Sequence, residues 1–329
     1  MQSRRTFTQQ LGVLAMSGAA GFHLSSQAQS HTVDLARLLV GFPPGGSTDN
    51  VARRLADKMR GHYAKNMIVE NKPGAGMQIA VSTLKSAAPD GTTLLLSPPS
   101  PFSISPFTYR TLPYTAEDVV PVAMVCTFPF AFAVGTAVPA SVKTLPDFMA
   151  WAKANPGKAH FGSPAAGSTP HLIGSLVGQL GQLELTHVAY RGDAPGFQDL
   201  MGGQVSGYST TLGSFLPQLQ SGRIRLLAVS GAARSPFAPD VPTYKEQGFD
   251  IDMAEWFGVY VPAKTPPALI QHTAEAVQKA VAHPEFAQGL AEFGMTARSS
   301  TPQEAAARLK ADTASGQALV KRIGFTAES

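Results

Sequence analysis

Apolar residues fall along this chain in two alternating rhythms. Residues 35–42 form a short, largely apolar run, whereas residues 50–63 repeat apolar positions at helical spacing, with Val51, Leu55 and Met59 on one face. The first pattern predicts a buried strand and the second an amphipathic helix. A strand at 67–70, a helix at 79–87 and a strand at 92–96 continue the series. A second series runs through strand 159–162, helix 170–180, strand 185–190, helix 195–201, strand 205–208, helix 215–221 and strand 226–229. A last strand at 256–261 precedes helical patterns at 266–282 and 301–323. Alternating strands and helices predict an α/β fold whose mostly parallel sheets are flanked by helices. Two such series predict two lobes. The rhythm breaks around Phe130–Pro139 and a strand resumes at Trp256, so the expected lobes are 29–132 plus 254–329, and 133–253.

Length and composition agree with a two-domain globular protein: 329 residues, 44% hydrophobic and 15% charged, with a mean hydropathy of +0.01. The 31 glycines and 26 prolines imply many turns and argue against a coiled coil. A sequence pI near 9.2 invites a nucleic-acid reading, but the N-terminus changes that picture. Arg4 and Arg5 are followed by Phe7, a weakly apolar stretch at 11–24, and small residues Ser26 and Ala28. This order resembles a twin-arginine export signal, with cleavage expected after Ala28 and a periplasmic mature protein. Without residues 1–28 the balance is 24 basic to 22 acidic residues, and no basic run survives. Binding to nucleic acid is therefore not expected. No later stretch approaches the roughly 20 apolar residues that span a bilayer. The lone Cys126, within the apolar run 121–134, reads as a small buried hydrophobe.

In open α/β sheets ligands bind at the carboxyl ends of strands, which directs attention to the strand-to-helix loops. Three stand out. The first holds Pro44, Gly45, Gly46, Ser47, Thr48 and Asp49, in which the glycine pair allows positive φ and close backbone approach. The second runs from Ser163 through Gly167, Ser168 and Thr169, with Thr169 expected as helix N-cap and Pro170 as first helical residue. The third is Arg191, Gly192 and Asp193. Each leads into a helix whose free N–H groups form a carboxylate site without a charged side chain. A Gly/Ser/Pro turn before a helix is also an ordinary structural need, so weight comes only from convergence of the three.

Enzymatic signatures are sparse. The chain lacks a G-x-S-x-G elbow, a phosphate-binding G-x-x-x-x-G-K-[ST] loop and a complete dinucleotide fingerprint. Its seven histidines beyond the signal segment show no zinc-ligand spacing, so neither metal nor cofactor is expected. A hydrolase using His171, Asp193 and Ser168 is the enzymatic alternative, and His171 otherwise reads as a cap-region or cleft-wall side chain. Trp256 and Phe257 read as strand core, or as aromatics that shape a cleft.

Several segments together carry a family resemblance. They are Phe42–Asp49, Asn71–Gly76, Ala88–Leu95, Ser103–Pro106, Leu112–Tyr114, Tyr190–Gly192, Asp199–Val205, Pro239–Thr243 and Pro262–Pro266. In this order, across nearly the whole mature chain, the sequence resembles the Bug-type extracytoplasmic solute receptors of tripartite tricarboxylate transporters. The resemblance implies a two-lobed binding protein that closes on a small carboxylate, does not catalyse, acts as a monomer and delivers its ligand to membrane transporter subunits. A sensory module that signals to a membrane kinase remains the alternative. Carried over by position, the first two loops should hold the carboxylate through backbone N–H and hydroxyl groups, with Asp49 as a loop brace. Ser97, Ser100, Phe102, His171 and the third loop complete the expected site. Phe102 stands where many members carry His, Ser105 where many carry Asn, Asp193 where many carry a small residue, and Met77 at a common glycine. Phe102 is expected to make the cleft more apolar, and Asp193 to accept a hydrogen bond from a ligand ammonium or hydroxyl.

Overall fold

The computed structural model describes residues 33–324; the expected signal segment and its cleavage site lie outside the described residues. The first part of the chain comprises β1 (Val33–Val40), α1 (Ser47–Met59), β2 (Ala64–Asn71), α2 (Gln78–Lys85) and β3 (Thr93–Ser97). Two one-turn helices, α3 (Ser100–Ser103) and α4 (Ser105–Thr108), lead to the long β4 (Val119–Val134). Then come α5 (Leu145–Ala154), β5 (His160–Ser163), α6 (Thr169–Leu180), β6 (Thr186–Ala189), α7 (Asp193–Gly202), β7 (Gly207–Thr211), α8 (Leu212–Leu219) and β8 (Arg225–Val229). The chain closes with β9 (Ala254–Pro262), α9 (Pro267–Val281), α10 (Pro284–Ala291), β10 (Thr296–Ala297) and α11 (Pro302–Ile323).

The strands are ordered β2-β1-β3-β9-β4-β7-β5-β6, with β8 and β10 also paired to β4. β1 is parallel to β2 and β3, and β5 is parallel to β6 and β7. Both parallel groups are joined through antiparallel strands. β9 inserts between β3 and the first part of β4, while the last residues of β4, Phe130–Val134, pair with β7 and β8.

Residues 119–134, legible from sequence only as an apolar run, thus form one strand of 16 residues. Most of its side chains are buried, so it shows no alternation of polar and apolar positions. Pro121 would interrupt a regular ladder, and the register against β9 shifts beside it, between Pro121 and Ala123. Cys126 is fully buried here, and burial pushes its thiol up to about 12, as expected of an inert core cysteine.

α5 and α10 went unread in the sequence. α5 begins at a capping box in which Thr144 and Asp147 satisfy each other's backbone N–H groups, and Thr301 with Glu304 does the same for α11. α11 packs on β4, α3 and α6, with Val320 meeting Leu172 and Ile104 in a small apolar cluster. Tight backbone approaches lock other elements: a Cβ on Gly213, at the start of α8, would lie 1.7 Å from the Phe293 carbonyl oxygen.

Candidate functional site

Parallel order places the loops after β5, β6 and β7 on one carboxyl edge, and the loops after β1 and β3 on another. These are the edges at which α/β sheets bind ligands. α1, α6 and α7, which follow β1, β5 and β6, all begin without a side-chain cap, on Gly46, Ser168 and Gly192.

In the first loop Gly45 is the residue that needs glycine, with φ of +85°, whereas Gly46 sits at an ordinary −76°. The expectation of positive φ across the pair therefore holds at Gly45 alone. Pro44, Gly45 and Gly46 are exposed, Ser47 is half-buried and Thr48 is buried. Asp49 is 2% exposed and braces the turn. Its Oδ2 accepts from the Gly45 N–H at 2.9 Å and from Arg53 Nε at 2.9 Å, and its Oδ1 accepts from Asn71 Nδ2 at 2.9 Å. Burial pulls the Asp49 carboxyl upward, but the Arg53, Gly45 and Asn71 hydrogen bonds outweigh it and hold the group below the usual carboxylate range. Asp49 is thus engaged within the loop. The Gly45 N–H is spent on it too.

Ser97 is fully buried, and its hydroxyl donates to the Pro98 carbonyl at 2.7 Å. Ser100 opens α3 half-buried. Phe102 corrects the expectation of an apolar cleft wall. It is 0% exposed and packs against Tyr260 and Tyr114, with ring centroids 4.8 and 6.1 Å away, inside a core cluster that includes Trp256. Its bulk is consumed by core packing, and Phe257 is likewise buried, in the neighbouring cluster against Phe128.

The second loop is closed by its own side chains. Ser168, not Thr169, is the N-cap of α6, so Pro170 is the second helical residue. The Ser168 hydroxyl donates to the Ala165 carbonyl at 2.7 Å instead of capping the helix. Gly167, at φ +69°, donates its N–H to His171 Nδ1 at 3.0 Å. The His171 ring stacks on His187, 3.4 Å between centroids, and His187 Nε2 lies 2.8 Å from the Ser163 hydroxyl. Ser163 donates to the Ala165 carbonyl at 3.1 Å, which leaves it to accept from His187. A serine so arranged is not activated as a nucleophile. Desolvation lowers His171 to about 4 and His187 to about 3, with repulsion between the rings adding to the latter. Both are neutral at physiological pH and serve as a stacked floor under the loop.

Thr169 reaches across to β9, donating its hydroxyl to Glu255 Oε1 at 2.9 Å. Burial pushes the Glu255 carboxyl up to about 8, against the Thr169 hydrogen bond. Nearby, Asp312 of α11 accepts from Trp256 Nε1 at 2.7 Å and from Arg308 Nε at 2.9 Å.

The third loop is tied to the second by the Gly192 N–H, which donates to the Pro164 carbonyl at 3.0 Å. Gly192 needs its φ of +92°, and Arg191 is exposed. Asp193, expected to accept a hydrogen bond from a ligand ammonium or hydroxyl, is the first residue of α7 and turns its carboxyl inward onto hydroxyls of the protein itself. Tyr208 donates to its Oδ1 at 3.3 Å, and the Ser214 and Thr210 hydroxyls also bear on it. Desolvation outweighs these bonds and raises the group. Tyr208, His187, Glu255 and Ser214 were not singled out in the sequence, since each sits in a strand or helix start that reads as ordinary core or turn. A shallow groove of about 580 Å³ on α2, lined by Ala75, Gln78, Ile79, Ser82, Thr83, Ser86 and Pro113, includes none of the loop residues.

Paired helix-flanked sheet halves joined by crossing antiparallel strands, with glycine-rich loops at the carboxyl edges, define a periplasmic binding protein fold. Comparison with known proteins assigns it further. Residues 51–325 match the tripartite tricarboxylate transporter family receptor, TctC, and the chain belongs to this family of solute-binding receptors, in its Bug-type branch. It is 34% identical over 278 residues to the protein BugT of Bordetella pertussis, covering 82% of this chain and 85% of that one. Among solved structures, the periplasmic binding protein BugD is 28% identical with a TM-score of 0.81, covering 90% of this chain and 99% of BugD. The R. palustris protein Rpa4515, solved with adipate, is 29% identical with a TM-score of 0.83, covering 89% of this chain and 98% of that one. No helix among the described residues is long and apolar enough to cross a membrane.

Proposed function

We propose that this receptor captures a small carboxylate between two lobes, residues 29–132 plus 254–329 and residues 133–253, and presents it to a tripartite tricarboxylate-type membrane transporter from the periplasm. The observation that carries the reading is the set of helix N-termini without side-chain caps, on Gly46, Ser168 and Gly192, at the carboxyl edges of the parallel strands. Ser47 and Thr48 on one side offer N–H and hydroxyl groups, and Ser168 and Thr169 on the other offer backbone N–H groups, with Gly167 and Gly192 shaping the turns and Arg191 at the margin. Charge-assisted hydrogen bonds of about 1.5–3 kcal/mol each need only a few members to give micromolar affinity, about −8 kcal/mol. Neutral donors also release a ligand more readily than a buried ion pair. The adipate held by Rpa4515 supports the ligand class. The role is binding without turnover: the two serine hydroxyls of the second loop, on Ser163 and Ser168, are spent on the Ala165 carbonyl.

The test is a thermal-shift series of straight-chain dicarboxylates against their diamides and dimethyl esters. At a hundredfold excess over Kd, a ligand bound only by the folded state stabilises by about 2.7 kcal/mol. Acids should raise the Tm and their neutral counterparts should not. Equal shifts from diamides would refute carboxylate capture.

A further inference from the structure

The strand β9 enters the sheet with an acidic side chain. Glu255, its second residue, pairs with Phe128 of β4, and its carboxyl is removed from water although the residue as a whole is half-buried. A carboxylate in such a place is costly unless a cation answers it. The neighbouring cation, Arg308 of α11, is committed elsewhere: its Nε donates to Asp312 Oδ1 and its Nη2 to the Ala254 carbonyl, both at 2.9 Å. Among the described residues Glu255 forms no ion pair. The other groups that bear on it add no positive charge. Asp312 of α11 repels it, and Tyr260 of β9 keeps its proton on a buried hydroxyl that has no hydrogen-bond partner among the described residues.

The hydrogen bond that Glu255 does receive comes from Thr169, at 2.9 Å. Thr169 is buried and is the first residue of α6, one of the helix ends assigned above to ligand capture. Pro170, next in the chain, has no N–H, which puts more of the donor capacity of this end on Thr169. The residue that offers its N–H to the ligand therefore gives its hydroxyl to Glu255. A ligand carboxylate and an ionised Glu255 would share that one residue, and two like charges so close in a desolvated place do not both ionise.

We propose that Glu255 is a positioning residue for carboxylate capture: with its proton it holds Thr169 in place at the start of α6, and without it it becomes an anion that competes with the ligand for that helix end. The inference rests on the carboxylate-capture reading above. It makes binding a proton-linked event. The ligand binds the form in which Glu255 is neutral, so affinity is full while the empty receptor keeps that proton. At higher pH, capture must take a proton up from solvent, and affinity falls. Burial, which pushes Glu255 up to about 8, sets the threshold just above neutrality.

Calorimetric titration with succinate, glutarate and adipate, between about pH 7 and about pH 9.5, where each acid stays a dianion, tests it. Wild-type affinity for the acid that fits should fall about tenfold or more across that range, because each pH unit above the threshold costs up to about tenfold when one proton must be taken up. Near pH 8.5, titrations in two buffers of different ionisation enthalpy should show roughly half a proton or more taken up per ligand. Glu255→Gln, a neutral isostere that still accepts from Thr169, should match wild type within about twofold near pH 7, hold that affinity near pH 9.5 and take up no proton. A melting curve at each pH checks that every protein titrated is folded. Wild-type affinity that stays within about twofold over the whole range, or a folded Glu255→Gln protein that weakens in parallel with wild type, would overturn the inference while leaving carboxylate capture intact. The first of these outcomes needs no variant. No binding of any of the three acids near pH 7 would overturn both.

Discussion

Gly45 and Gly46 are adjacent, exposed and chemically identical, yet the structure assigns them different jobs, and substitution separates the two. A Cβ on Gly45 meets nothing within 4 Å, and one on Gly46 meets only the Pro43 carbonyl oxygen at 3.7 Å, so neither position lacks room. They differ in backbone conformation: φ is +85° at Gly45 and −76° at Gly46. An alanine at the first position pays the left-handed penalty of about 1–2 kcal/mol, and at the second it does not. Both alanines remove the same freedom from the unfolded chain, which cancels in their difference. With an unfolding entropy of about 2.1 cal/mol/K per residue, a folded region of about 290 residues loses roughly 1.6 °C of Tm per kcal/mol. Scanning calorimetry should therefore place Gly45→Ala about 2–3 °C below Gly46→Ala. Gly46→Val adds a branched side chain at a backbone conformation that valine tolerates, directly over the start of α1. It should keep its Tm within about 1 °C of Gly46→Ala and lose dicarboxylate binding, because bulk now covers the N–H groups. Equal melting temperatures for the two alanine variants would refute the strain argument. Wild-type affinity in a folded Gly46→Val protein would refute the role of this loop in capture.

Other expectations follow from the same geometry. Asp49→Ala removes three hydrogen bonds, one to a half-exposed arginine, and should lower stability by about 2–4 kcal/mol at pH 7. Because the folded Asp49 carboxyl lies below its unfolded value, its contribution is present above about pH 4 and fades as pH falls further, so urea unfolding of wild type and variant should converge toward pH 3. His171 and His187, at about 4 and about 3 in the fold, remain neutral where unfolded histidine gains a proton; stability should fall as pH drops below about 6.5, by up to about 1.4 kcal/mol per unit for each ring. His187→Gln should flatten that slope, and an unchanged slope would place its origin elsewhere. Glu255, at about 8, holds its proton in the fold and loses it in the unfolded chain, so wild type should weaken between about pH 4.5 and 8 and Glu255→Gln should melt progressively higher than wild type across that window. Gly213→Ala, forcing a methyl group against the Phe293 carbonyl, should cost about 3 kcal/mol in chemical unfolding.

Much of the architecture was legible because local patterns obeyed one rule each. The helix at α1 shows its apolar face as Val51, Leu55 and Met59, all fully buried in the structure. What escaped depended on partners distant in the chain. β4 carries no alternation because so much of it is covered, and α10 is too short for its periodicity to stand out. The loops of the site were visible as turn chemistry, but the use of each donor was not. Whether Ser168 caps a helix or closes on Ala165 is decided by a rotamer, and whether Phe102 faces a cleft or Tyr260 is decided by a strand more than 150 residues downstream. Asp49 and Asp193 look alike on the page of letters. Only the presence of Arg53 one helical turn from the first, and the arrival of Tyr208 from β7 beside the second, sets them apart.

The insertion of β9 between β3 and β4 also dictates the order in which the molecule can be completed. β3 is buried along all five residues, and one of its edges stays open until Ala254–Pro262 arrives. Between Ser97 and Ala254 lie about 160 residues, which at a synthesis rate of about 5–20 residues per second is a wait of about 8–30 s. Throughout that interval Leu94, Leu95 and Leu96 present an unpaired apolar ladder, the kind of edge that recruits strands from other chains. The nascent protein is therefore most vulnerable to aggregation before its last quarter is made, and a chaperone that shields this leucine edge during synthesis would raise the yield of folded receptor without touching its final stability.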